Sequence, residues 1–319
     1  MTPRLARVLA KAAVVLLLVT ASLSAQRFTS GVEVVSVPAS VTEKGKAVTG
    51  LVAADFVLTD NGVPQIVEVA ALEEMPIDVS LVIDASQSVQ GALLTRLKKA
   101  VAETAALLTH NDRIRVIAVQ HVIREIVRWQ PGGGTPSLDA LTGSGSTSIY
   151  DALAAALMRS SPDGRRHLVV VFTDGFDTSS VVAPDALTSI AALSDTVVNA
   201  VIAIEDLKER RSTQSVAPSA GNARGGSLTM GLTPADEQQL PSVRPLRDAV
   251  VLPTGGQVFA VDMQEPLSGT FSAAVRAFRT SYVLRYIPMN VATPGWHSIA
   301  VTVHRPNRYE IRARKGYSR

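Results

Sequence analysis

The stretch IDVSLVIDASQSVQG, residues 77–91, decides how the chain is read. Residues 77–83 are a short apolar run of the kind that forms a strand buried on both faces. A carboxylate ends the run at Asp84, and hydroxyls follow at every second position, Ser86 and Ser88. Leu93, Leu94, Leu97, Val101, Ala105 and Leu108 then recur at helical spacing, with Asn111 and Asp112 as the expected stop. Buried strand, polar turn and amphipathic helix together are the opening of an α/β sheet.

The rest of the chain repeats this unit. HLVVVFT from His167 and TVVNAVIAI from Thr196 read as further buried strands, and residues 148–159, 183–193 and 267–278 as helices. LRDAVVLPTGGQVFAVD reads as a helix, a stop at Gly255-Gly256 and a strand. RIRVIAVQ and VIREIVRW suggest a hairpin around Gln120-His121, hence one antiparallel edge strand. Strands alternating with helices predict a three-layer α/β fold, a mostly parallel sheet with helices on both faces, over residues 76–279. Residues 206–243 interrupt it with Ser, Gly, Pro and charge and no periodic apolar face, the composition of a disordered insertion.

Both flanks differ in type. Residues 26–75 are β-rich, with Asp60-Asn61-Gly62 as a hairpin turn and Pro64 expected at a strand start or edge. Residues 280–319 hold three strand-like runs, SYVLRYIP, HSIAVTV and YEIRARK. The two flanks are expected to pair into one small β-rich region, with the α/β domain inserted between them.

The chain has 319 residues and no cysteine, which excludes disulfide frameworks, zinc–thiolate sites and cysteine catalysis. Residues 1–25 carry Arg4, Arg7 and Lys11, an apolar stretch and then small residues, the pattern of a secretory signal peptide. An uncleaved membrane anchor is the alternative. Removal of the leader takes three basic residues from 31, leaving 28 basic against 28 acidic, so net charge gives no case for a nucleic-acid partner. Residues 26–275 hold 19 basic and 27 acidic residues, and an acidic body of this kind suits a cation. The expected location is outside the cytoplasm: secreted, periplasmic or in the cell envelope.

Ligands of open α/β sheets bind outside the carboxyl ends of the strands. Three polar clusters fall there: Asp84, Ser86 and Ser88; Asp174 in FTDGFD; and Thr147 in GSGSTSIYD. Two carboxylates and three hydroxyls are hard oxygen donors, suited to Mg2+, Mn2+ or Ca2+ rather than to zinc. Taken singly, Ser88 or Thr147 could be a helix N-cap. Asp151 reads as a first-turn acid, and Asp177 as a turn residue or an outer support of the site. No GxSxG, HExxH, Walker A or dinucleotide fingerprint occurs, and none of the five histidines falls at an expected strand end near Ser86. An enzyme is therefore not expected, and no residue is assigned a catalytic role.

DASQS matches the DxSxS motif of the von Willebrand factor type A domain. Asp84, Ser86, Ser88, Thr147 and Asp174 correspond residue by residue to that family's metal-ion-dependent adhesion site. VTGLVAADFVLTDNGVPQ, STSIYDAL, LVVVFTDGFDTSS, TGGQVFAVD, TSYVLRYIPMN and YEIRARKGY extend the likeness beyond the motif. They resemble a bacterial family of secreted von Willebrand factor A-related proteins described mainly from acidobacteria. That family usually reads DxSGSM, so Gln87 and Val89 stand here for Gly and Met, at positions that are not ligands. The resemblance implies a Rossmann-like fold and a divalent cation, Mg2+ or else Mn2+ or Ca2+, completed by an Asp or Glu of a partner protein. The implied function is an adhesion or protein-binding module. A metal-dependent hydrolase, or an envelope protein whose metal is only stabilising, are the other classes left open.

Overall fold

A computed structural model describes residues 34–70, 75–158, 164–205, 243–291, 294–304 and 309–318. The leader and all but the last residue of the expected insertion lie outside the described residues; that last residue, Val243, is buried at the start of a helix.

The described residues form β1 (Val35–Glu43), β2 (Lys46–Ala47), β3 (Phe56–Asp60), β4 (Val63–Gln65), β5 (Glu68–Ala70) and β6 (Ile77–Asp84) before the first α-helix among them, α1 (Gly91–Leu107). Then come β7 (Arg113–Val119), β8 (Ile123–Pro131), α2 (Ile149–Leu157), β9 (Arg166–Thr173), α3 (Pro184–Leu193) and β10 (Val197–Ile204). α4 (Val243–Leu246) continues as a π-helical turn, Arg247–Val251. β11 (Val258–Asp262), α5 (Ser268–Arg279), β12 (Tyr282–Tyr286), β13 (Trp296–Val303), β14 (Glu310–Ala313) and β15 (Gly316–Ser318) complete the order.

The central sheet runs β11-β10-β9-β6-β7-β8. All its pairings are parallel except that of β8, which turns back antiparallel on β7 as the edge strand. β6, β9 and β10 are buried along their whole length, which explains their unbroken apolar character. Side-chain alternation sends Ile77, Val79, Leu81 and Ile83 to one face, where α1 and α5 cover them with Leu97, Val101, Phe271 and Val275. Val82, Val169 and Val171 face the other way, under Leu153, Leu187 and Val250 of the α2, α3 and α4 side. Helices therefore cover both faces, as the sequence pattern requires.

The flanks pair into one small β-rich region as expected, built of two sheets. β1 lies between β12 and β14, with β5 beyond β12; β13 lies between β15 and β3, with β4 beyond β3. Val37, Leu58, Leu284 and Ile299 bring both sheets into one apolar core. Asn61 and Gly62 take positive φ of 48° and 81°, the conformation that a two-residue type I′ turn needs, and Pro64 sits in the edge strand β4. Buried Asp60 joins the sheets: it accepts from Tyr286 Oη (2.7 Å) and Tyr317 Oη (2.9 Å), and lies 2.8 Å from His297 Nδ1. The C-terminal flank holds four strands, one more than expected, because the run after Tyr309 divides into β14 and β15.

α1 stops at Leu107, four residues before the expected Asn111. Asp112 is occupied elsewhere, accepting from the amides of Ile77 (2.9 Å) and Thr109 (2.8 Å) and from Arg279 (2.7 Å).

At the opposite edge of β6, Asp78 is shared by Arg113 and Arg165. Burial pushes its carboxyl up, but these hydrogen bonds and charges outweigh burial and hold it below its ordinary 3.8. A lowered carboxyl pKa contributes stability that is full above 3.8 and is lost as pH falls through the lowered value. Asp78→Asn is expected to cost about 3 kcal/mol in urea unfolding at neutral pH, as breaking a buried pair does. It should also flatten the loss of stability that the wild type shows below pH 3.8.

Candidate metal centre

The chain leaves β6 to build β7 and β8 on one side, then returns to build β9 on the other. The strand order therefore reverses between β6 and β9, and a crevice opens at their carboxyl ends. Asp84 is the last residue of β6, and Asp174 follows the last residue of β9. Sheet topology alone thus brings together two acids ninety residues apart in sequence.

All five residues expected at this site meet there. Ser86 Oγ lies 3.0 Å from Ser88 Oγ, and Ser88 Oγ donates to Asp174 Oδ2 at 2.8 Å. Thr147 Oγ1 approaches Asp84 Oδ1 at 3.5 Å, and the Ser86 amide donates to the same oxygen at 3.0 Å. Asp84, Ser86 and Thr147 are buried, while Ser88 is exposed and Asp174 half-buried, so the group opens outward through the latter two. Burial pushes the Asp84 carboxyl above its ordinary 3.8, and the charge of Asp174 adds to the rise. A divalent cation would relieve both the burial and the repulsion, and the donors are oxygens throughout, so the residues present fit a hard cation.

The N-cap readings fail on geometry. Gln90, not Ser88, occupies the N-cap of α1, and Ser88 spends its hydroxyl on Asp174. Ser148 stands at the N-cap of α2, without a side-chain cap bond. The first-turn amides of α2 are instead satisfied from across the crevice: Tyr150 N donates to Asp177 Oδ2 (3.0 Å) and Asp151 N to Ser180 Oγ (3.2 Å). In return Asp151 accepts from the amides of Val181 (3.0 Å) and Val182 (2.7 Å). Asp177 is thus both a turn residue and a brace, and Asp151 ties the same loop down.

Two contributors escape a reading of the sequence. Thr173 Oγ1 donates to Asp84 Oδ2 at 2.9 Å, but in HLVVVFT it looks like one more β-branched strand residue. Gln120 Nε2 reaches the carbonyls of Ala85 (3.2 Å) and Thr142 (2.6 Å), stitching the loop of Ser86 to the loop of Thr147. Main-chain bonds from Ser144 N to Ala85 O (2.8 Å) and from Gln87 N to Gly145 O (3.1 Å) complete the seam. A signal for Gln120 existed: it is a polar residue directly after the apolar run of residues 116–119 that ends β7.

Gly143 is where this seam is tightest. A Cβ there would stand 1.9 Å from Val89 O. Gly143→Ala must push the Ser86–Ser88 loop away, at about 1–3 kcal/mol of overpacking. Urea unfolding should show that loss, and isothermal titration with Mn2+ should show weaker binding than by the wild type.

Residues 78–227 match the family model described as von Willebrand factor type A domain. No curated protein matches the sequence. Among solved structures, the ArnB paralog VWA2 from Sulfolobus acidocaldarius is 11% identical with a TM-score of 0.44, over 88% of this chain and 75% of that one. The PilB minor pilin from Streptococcus sanguinis is 13% identical with a TM-score of 0.44, over 66% and 63%. Proximal thread matrix protein 1 from the mussel byssus is 12% identical with a TM-score of 0.42, over 65% of this chain, which spans about half (49%) of that protein. With its mixed central sheet, its covering helices and the matched segment, the chain carries a von Willebrand factor type A domain.

Proposed function

We propose that the chain is an extracytoplasmic protein-binding module whose contact runs through a divalent cation held by Asp84, Ser86, Ser88, Thr147 and Asp174. The observation that carries this reading is the convergence of two carboxylates and three hydroxyls at the point where the strand order reverses. Two carboxylates balance the charge of Mg2+, and neutral hydroxyls leave the ion electron-poor. When bound, the ion supplies a positive centre that an Asp or Glu of a partner can complete. The chain's own residues do the rest. Thr173 and the Ser86 amide fix the Asp84 carboxylate, Ser88 orients Asp174, and the loop tied by Asp151 and Asp177 holds Thr147 in place.

The two serines are spoken for by each other and by Asp174, with no imidazole in hydrogen-bond reach of either hydroxyl among the described residues. A serine without a base is a poor nucleophile. This favours binding over turnover. Leader removal would place the module outside the cytoplasm; among the described residues no helix is long and apolar enough to cross a membrane.

Isothermal titration with Mg2+ and Mn2+ tests the ion, and capture of envelope proteins in Mg2+ against EDTA tests the contact. Asp84→Ala and Asp174→Ala should each abolish ion binding and metal-dependent capture. Capture that survives both EDTA and Asp84→Ala would sink the mechanism. Ion binding that raises the melting temperature with no metal-dependent capture would leave a stabilising metal instead.

A further inference from the structure

A cavity of about 630 Å³ lies at the amino end of the central sheet, the end opposite to the candidate metal centre. Arg166 and His167 at the start of β9 and Thr196 just before β10 line its floor; Ser36, Val283 and Arg285 of the β-rich flanks close another side. β9 spans the distance between the two sites, about 23 Å at the usual rise of a parallel strand.

The cavity combines an apolar wall with positive charge that the described carboxylates compensate only in part. Leu157, Ile190, Phe278 and Val283 contribute the wall, and two of the chain's exposed large apolar side chains, Met158 (75%) and Leu193 (72%), stand at it. Arg166 is 6% exposed, and among the described residues no carboxylate pairs with it. Its Nη2 donates to Phe278 O (2.9 Å) and Ser281 Oγ (2.6 Å), its Nη1 is buried without a hydrogen-bond partner, and its guanidinium lies 4.2 Å from the centre of the Phe278 ring. Burial and the nearby Arg279 charge lower its pKa to about 10, yet it stays charged at neutral pH. The Arg285 side chain makes no hydrogen bond or ion pair among the described residues, although Glu68 is its cross-strand neighbour on β5. Arg165 is already shared with Asp78. The one carboxylate on the wall, Asp195, is 82% exposed and accepts from Arg314 at 2.8 Å. His167 adds no charge, since burial and Arg115 push its pKa down to about 4. A buried cation without a counter-ion is costly, and an anion brought by a ligand offsets that cost.

We propose that this cavity binds an aliphatic carboxylate, with the headgroup in the field of Arg166 and Arg285 and the chain along the Leu157, Ile190 and Leu193 wall. Volume and lining match a pocket for a small amphiphilic ligand. The site is independent of the metal centre and needs no ion there.

Isothermal titration of the full chain in EDTA with decanoate, decan-1-ol and inorganic phosphate is the test. Decanoate should bind at least about tenfold more tightly than either decan-1-ol or phosphate. Arg285→Gln removes the charge without setting a second carboxylate opposite Glu68 and should keep the fold; it should weaken decanoate at least about tenfold and leave decan-1-ol unchanged. Ile190→Trp, which fills the cavity from its apolar side, should abolish binding of both. Absence of decanoate binding, equal binding of decan-1-ol, or unchanged decanoate affinity in either variant would each overturn the proposal.

Discussion

Asp84 sits at the end of a strand that is buried on both faces, and its carboxylate is wholly removed from solvent. A buried charge survives only where donors surround it. The Ser86 amide, Thr173 Oγ1 and Thr147 Oγ1 are those donors, and they come from three separate loops or strands. Satisfying this one group therefore fixes the relative positions of the loops after β6 and β9 and the loop before α2. Gln120, Asp151 and Asp177 extend the same constraint outward, because each joins two of those loops. The carboxyl end of the sheet is consequently a rigid, polar rim on an apolar body.

The amino end follows different chemistry. There the polar groups are cations, Arg113, Arg165 and Arg166, and Asp78 partners the first two. Arg113 and Arg115 also lie over the Trp129 ring, at 5.2 and 4.8 Å from its centre, so the edge strand β8 is held by cation–π contact as well as by its ladder. Guanidinium groups gather at the amino end, where Asp78 and Asp112 pair with Arg113, Arg165 and Arg279, whereas Asp84 and Asp174 at the carboxyl end are met by hydroxyls and amides.

Much of this was legible in the sequence, for physical reasons. A strand covered on both faces has no polar alternation, so residues 77–83 and HLVVVFT announce a parallel sheet directly. The turn at Asn61-Gly62 was legible because few residues accept positive φ at two successive positions. DASQS, Thr147 and Asp174 were legible because their types and their strand-end positions agree. What stayed hidden depends on pairing across long separations. Asp177 satisfies an amide 27 residues earlier, and Tyr286 meets Asp60 across 226. Thr173 was concealed by its own propensity, since threonine fits a strand whether or not its hydroxyl has a task. The split of the C-terminal flank into two sheets was equally invisible, because each strand's local pattern suits either sheet.

The pairing of β1 with β12 has a consequence for how the chain is made. Val35 faces Tyr286, about 250 residues later. Closing a loop of that length is entropically expensive, and the folded α/β domain shortens it by holding β6 and α5 in one core. During synthesis β1 therefore has only the two-residue β2 to pair with until the inserted domain has emerged. Its alternation of buried and half-buried residues makes it a strand that other chains could pair with in that interval. β1 gains its long partners only once residues 282–313 have been made.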